Sequence, residues 1–258
     1  MAKTLLMIHG VGCGGDVWDR MIPFFEADGW TCEAPTLFPA RRVKDNPPAS
    51  LSELGIDDYI SAMSKKAHEI EKATSKKPAV IGHSMGGLIA QVLAEKGDVS
   101  QAVFLTPAQP KGCAVIGPSV AITFLNILIQ QNRKKSYKVW RTGFDFGVTN
   151  CVPKRLREEI YSHALYDSGK VYGDLTDGVE IDESKIRIPT LTIAAGKDRA
   201  TLASAVRKVG EKYKNAAVAG DFMEYPKNGH WIVDEPGTDK VAADIAGWLA
   251  RTRVKEDA

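Results

Sequence analysis

The stretch Gly82-His83-Ser84-Met85-Gly86 constrains this chain more than any other, because of what flanks it. An apolar run, Pro78-Ala79-Val80-Ile81, precedes it, and a helical pattern begins at Met85 and continues through Gly87-Leu88. A short buried strand must therefore turn sharply into a helix, leaving Ser84 in a strained conformation with its hydroxyl presented at the turn. Gly82 and Gly86 lack the side chains that would collide there, and Gly87 lets the helix lie close to the sheet. A bare G-x-S-x-G also marks tight connections that do no chemistry, so the strand before it and the helix after it carry the weight.

Around this turn the pattern alternates strand and helix. A continuous apolar run over 4–8 reads as a strand buried on both faces, followed by the loop His9-Gly10-Val11-Gly12-Cys13-Gly14-Gly15 and a helix over 17–27. That loop matches neither G-x-G-x-x-G nor the G-K-[ST] of a phosphate loop. The better reading is a loop whose backbone N–H groups face a developing oxyanion, which needs the same freedom from side chains. A strand over 30–35, a proline-rich basic loop over 36–50 and an amphipathic helix over 55–73 lead back to Ser84. His68 in that helix reads as a solvent-facing or half-buried residue with no role. Beyond Ser84, a helix over 85–95 stops at Gly97, a good residue to end it, and a strand over 99–105 follows. The alternation fails over 108–187 and resumes with a strand over 188–195, so the intervening segment reads as a cap inserted over the sheet edge.

Asp198, in Gly196-Lys197-Asp198-Arg199, follows that strand, and His230, in Asn228-Gly229-His230-Trp231, follows a last strand over 222–225. Both lie just past strand ends, where open parallel sheets place their ligands. The order Ser84, Asp198, His230 is the order this kind of turn requires.

Taken together, His9-Gly10, the Ser84 turn, Gly196-Lys197-Asp198 and Gly229-His230 resemble the α/β-hydrolase superfamily over the chain outside residues 108–187. The opening, Val11-Gly12-Cys13-Gly14-Gly15-Asp16-Val17-Trp18, is similar to plant methylesterase and hydroxynitrile-lyase-like members, whereas residues 34–40 depart from the D-x-x-G-x-G of many others. The resemblance implies an α/β fold with a mostly parallel, doubly wound sheet flanked by helices, a core of residues 1–107 and 188–258, and a helical cap of 108–187 after the strand ending near Leu105. It implies an oxyanion hole from the backbone N–H groups of Val11 and Met85. Ser84, His230 and Asp198 would be nucleophile, general base and base-orienting acid. A serine at the turn sets the chain apart from dehalogenases and epoxide hydrolases of this fold, which carry Asp there.

Carboxylic ester hydrolysis of a small to medium apolar substrate is the first expectation. Lactone, amide or C–C bond hydrolysis and hydroxynitrile-lyase chemistry are alternatives on the same triad. A non-enzymatic receptor is the alternative of another class, disfavoured by the presence of His230. Gly10, Cys13, Phe124, Leu128, Trp140, Phe144 and Trp231 are candidate substrate-binding residues. Cys13 is a rival nucleophile without a base in view, and the basic group Arg133, Lys134, Lys135, Lys138 and Arg141 reads as a solvated face, with attraction of an anionic substrate or a membrane surface as the alternative.

At 258 residues and 44% hydrophobic, the chain can bury one large core. A net charge of +2 gives no reason to expect nucleic acid as a partner. The four cysteines, Cys13, Cys32, Cys113 and Cys151, show no metal or C-x-x-C spacing and are expected as free thiols. No motif asks for a metal or other cofactor, and no stable membrane insertion is expected. The first residues lack the pattern of a secretion signal, so the expected location is cytoplasmic.

Overall fold

The computed structural model describes residues 3–115 and 117–252. Its strands are β1 (Lys3–Ile8), β2 (Trp30–Glu33), β3 (Ala79–His83), β4 (Gln101–Leu105), β5 (Ser136–Tyr137), β6 (Asp167–Ser168), β7 (Thr190–Ala195) and β8 (Asp221–Tyr225). Six of them form one parallel sheet in the order β2-β1-β3-β4-β7-β8, while β5 and β6 pair antiparallel outside it. The helices are α1 (Ile22–Ala27), α2 (Ile56–Thr74), α3 (Met85–Lys96), α4 (Pro118–Thr123), α5 (Leu125–Gln130), α6 (Arg141–Gly143), α7 (Lys154–Ser162), α8 (Gly169–Asp177), α9 (Ala203–Tyr213) and α10 (Thr238–Thr252).

Strand order reverses between β1 and β3, and the helices lie on opposite faces of the sheet. Leu5 and Met7 of β1 pack with Phe25 of α1 and with Val241, Ile245 and Trp248 of α10. Leu6 and Ile8, one residue out of phase, pack with residues of α2, α3 and α9 on the other face. The sheet is thus covered on both sides, which is why its central strands are apolar throughout rather than alternating.

Helix boundaries follow local chemistry. The helix expected over 17–27 divides into a 3-10 turn at Gly15–Trp18 and α1, because Pro23 fits only the first turn of a helix. Gly55 precedes α2 and its N–H donates to Asp58 Oδ2 at 2.8 Å. Gly97 ends α3 at φ +73°. The apolar run over 120–129 breaks at Phe124 into α4 and α5. The final helix, α10, has no counterpart among the sequence expectations.

The turn at Ser84 is built from backbone contact. Ser84 has φ 56° and ψ −119°, outside the regions L-residues favour. A Cβ on Gly82 would lie 2.0 Å from the Gly86 carbonyl oxygen, and one on Gly86 2.0 Å from that of Ile8. Both would meet main chain, with no rotamer to relieve the clash. Gly86→Ala is therefore expected to cost at least about 3 kcal/mol, read as a lower urea midpoint at unchanged slope. A loss under about 1 kcal/mol would mean that β1 and α3 separate freely, contrary to this packing.

Candidate active site

Parallel strands end on one edge, so the residues after β1, β3, β7 and β8 all emerge there. They do not emerge side by side. With strands about 4.8 Å apart, the end of β8 lies roughly 14 Å from the end of β3, and the 226–235 loop must fold back across β4 and β7 to bring His230 to Ser84. Three bonds hold it there: Lys197 N–H to Asn228 O at 2.8 Å, His83 Nε2–H to the His230 carbonyl at 2.9 Å, and Gly229 N–H to Glu235 Oε1 at 2.6 Å.

The result is a continuous chain of hydrogen bonds. His230 Nε2 lies 3.1 Å from Ser84 Oγ, and His230 Nδ1 lies 2.8 Å from Asp198 Oδ2. All three residues are buried. Asp198 Oδ1 accepts from the N–H groups of Ala200 and Thr201, each at 2.8 Å, so the carboxylate cannot rotate away from His230. Thr201 is a residue that the sequence expectations omit. Its hydroxyl sits 2.8 Å from Asp198 Oδ2, 3.0 Å from the Thr106 carbonyl and 3.3 Å from His230 Nδ1. The available signal was the Asp-x-x-Thr spacing, which favours side-chain bonding to local backbone.

Val11 and Ser84 both line one cavity, and Met85 follows Ser84 in the chain. A Cβ on Gly10 would lie 3.0 Å from that of Ser84, so this loop reaches the nucleophile's side only as bare backbone. His9, at the loop's start, is completely buried and donates from Nδ1 to the Gly10 carbonyl at 2.9 Å, while its Nε2 accepts from Leu37 N–H at 3.0 Å. Burial, with the Arg42 charge adding to it, lowers its pKa to about 3. His83 is likewise lowered to about 3, by burial first and then by His230 and His9. Both rings are neutral at physiological pH. Burial pushes the Cys13 thiol up to about 12, and its Sγ–H donates to the Val11 carbonyl at 3.4 Å. Cys13 therefore stays a thiol beside Ser84, without the thiolate a nucleophile needs.

Ser84 and His230 border an inner cavity of about 30 Å³, lined also by Gly10, Cys13, Phe124, Phe144 and Trp231. Beyond it lies an outer cleft of about 270 Å³, which shares Gly12, Cys13, Phe144, Ala164 and Trp231 with the inner one and adds Asp16, Arg20, Glu159, His163 and Asp234. Two sequence candidates fall elsewhere. Leu128 lines a separate surface cleft with Arg133 and Tyr172, because α5 turns Ile127 inward and Leu128 outward. Trp140 is tied by Nε1–H to the Ile122 carbonyl at 3.2 Å and fills the space beside Gly143, away from either cavity.

A doubly wound parallel sheet carrying a serine at a strained strand-to-helix turn is the architecture of an α/β hydrolase. The sequence pattern of the alpha/beta hydrolase family matches residues 5–244, and the chain belongs to that family. Norfluorocurarine synthase 1 from Strychnos is 23% identical to it over 240 residues, which is 91% of this chain and 84% of that protein. The fold is similar to that of a monoacylglycerol lipase from Paleococcus ferrophilus, with TM-score 0.72, 19% identity, and 96% of this chain and 94% of the other covered. It is similar also to an Arabidopsis methylesterase, with TM-score 0.68, 13% identity, and 97% and 98% covered. No helix among the described residues is long and apolar enough to cross a membrane.

The buried neutral histidines set a pH dependence. Below the ordinary histidine value of 6.5 the unfolded chain takes up protons at His9 and His83 that the folded chain refuses down to about 3. Their contribution is intact above 6.5 and is lost as pH falls, by about 1.4 kcal/mol per pH unit for each. Burial raises the Glu235 pKa, and this group works in the opposite direction, so the clean comparison is between proteins. His83→Gln, which keeps a donor for the His230 carbonyl, is expected to flatten the fall in urea-measured stability between pH 6.5 and 5 by about 1.4 kcal/mol per unit. Identical slopes in the two proteins would mean that His83 protonates without cost.

Proposed function

We propose that this protein is a serine hydrolase that cleaves carboxylic esters of small to medium apolar substrates through an acyl-enzyme. The observation that carries the reading is the unbroken chain from Ser84 Oγ through His230 to Asp198, with contacts of 3.1 and 2.8 Å. A serine hydroxyl attacks poorly unless a base takes its proton as the bond forms. His230 Nε2 is within reach of that proton and would return it to the departing alcohol; a water would then repeat the sequence to release the acid. Asp198 holds the tautomer in which Nε2 is the acceptor and stabilises the imidazolium.

The tetrahedral oxygen would take the N–H groups of Val11 and Met85, each worth about 3 kcal/mol of transition-state stabilisation. Segment 108–187 acts as a cap in this reading, because Phe124 and Phe144 come from it to wall the serine's cavity. A space of about 30 Å³ beside Ser84 favours a short acyl group.

A p-nitrophenyl ester series from acetyl to dodecanoyl tests this. Acetate and butyrate esters are expected to turn over fastest. Ser84→Ala and His230→Ala should each lose about 10⁴-fold or more in kcat, and Asp198→Asn somewhat less. Wild-type turnover by Ser84→Ala would sink the assignment. Thr201→Val is expected to lower kcat by about threefold to tenfold with KM little changed, the effect of one hydrogen bond to the Asp198 carboxylate.

A further inference from the structure

The loop that offers Val11 N–H is held by residues far from it in sequence. Gly12 N–H donates to Asp167 Oδ2 at 3.0 Å, and the Gly12 carbonyl accepts from Leu165 N–H at 2.8 Å. Both polar groups of Gly12, at φ +67°, are thus taken by the segment between β4 and β7. The Asp167 carboxylate is wholly buried and pairs with the equally buried Arg42, whose Nη2 and Nε lie 2.9 and 3.1 Å from the same Oδ2. Tyr59 donates its hydroxyl to Asp167 Oδ1 at 2.5 Å, and Ser168 N–H donates there at 3.1 Å. From its other nitrogen, Nη1, Arg42 reaches His9 Nε2 at 3.2 Å and the Leu37 carbonyl at 3.2 Å.

This arrangement controls both peptide planes around Val11. The Gly10–Val11 plane is fixed because its carbonyl accepts from His9, which Arg42 orients. In a trans peptide the N–H points opposite the carbonyl, so anchoring the Gly10 oxygen aims Val11 N–H the other way. The Val11–Gly12 plane is fixed because its N–H is bound directly by Asp167. Desolvating two charges is expensive, and a well-packed apolar pair is often at least as stable. Stability alone therefore does not account for the pair, whereas an acceptor for Gly12 N–H is something no apolar residue supplies.

We propose that the buried Arg42–Asp167 pair is a positioning device for the oxyanion site, aiming Val11 N–H and making that site complete only when the inserted segment is seated. The proposal rests on the serine hydrolase reading above.

Two double variants test it without leaving a lone buried charge. Arg42→Met with Asp167→Leu removes the acceptor for Gly12; Arg42→Met with Asp167→Asn keeps one. With active sites counted by a fluorophosphonate, the Leu variant is expected to lose about 100-fold in kcat with KM within about threefold, the scale of one oxyanion donor. The Asn variant should recover the part of that loss carried through Gly12 N–H, leaving the part that Arg42 carries through His9. Inhibition by a trifluoromethyl ketone, which forms the tetrahedral adduct, should weaken in proportion to kcat/KM, while inhibition by the product alcohol stays constant. Equal kcat in the two folded variants, or a Leu variant within about threefold of wild type, overturns the proposal. Should neither fold, Tyr59→Phe, which unpairs no charge, must show the same split at about threefold to tenfold; an unchanged kcat there overturns it. Failure of the hydrolase reading itself would appear separately, as turnover that survives Ser84→Ala.

Discussion

The contact between the main chains of β1, β3 and α3 is what the rest of the structure depends on. Ile8 O, Gly82 and Gly86 approach so closely that no side chain can stand between them. That approach forces the chain to reverse within one residue, and the residue at the reversal is Ser84, at φ 56°. Strain of this kind persists only where the surroundings over-determine it. Here they do so twice. Ser84 N–H is bound to the Leu105 carbonyl at 3.1 Å, and the Ser84 carbonyl accepts from Gly87, Leu88 and Ala108. The serine is held by its backbone, and its side chain is left to His230.

A second constraint is electrostatic. Around one serine the fold buries three histidines, a thiol, and an Arg–Asp pair. His9 and His83 stay neutral because burial disfavours their charge. Each then acts as a fixed scaffold with a defined tautomer: His9 donates to Gly10 and His83 to the backbone of His230. The ring that faces both Ser84 and a carboxylate is His230. The difference between scaffold and candidate base is thus a difference in partners: backbone carbonyls for two of the rings, an aspartate and a hydroxyl for the third.

These features were legible in the sequence to unequal degrees. The Ser84 turn declares itself within a few residues, since glycines and an apolar run are local signals. Asp198 and His230 follow from their positions after strands, and their chain order restricts the choice. Leu128 lines a different cleft because the apolar run over 120–129 does not announce the break at Phe124, which sets the face that residue presents. Thr201 is near Asp198 in sequence but looks like an ordinary loop residue. Arg42 and Asp167 lie 125 residues apart and meet only because the segment between β4 and β7 packs against the loop after β1. No periodicity encodes that meeting; a buried ion pair is visible only after the packing is known.

The two cavities give the site a direction. The inner one is too small for a whole ester, and its walls are largely apolar, while the outer cleft carries Asp16, Arg20, Glu159 and Asp234. Under the hydrolase reading, the acyl carbon meets Ser84 inside and the alcohol portion extends outward past Phe144 and Trp231, which border both spaces. Trp231 is 5% exposed, and its indole N–H has no partner among the described residues. A buried donor left unpaired costs stability, so such groups call for an explanation. Trp231 follows His230 directly in the chain. The loop that carries the candidate base across two strands therefore carries a wall shared by both cavities as well.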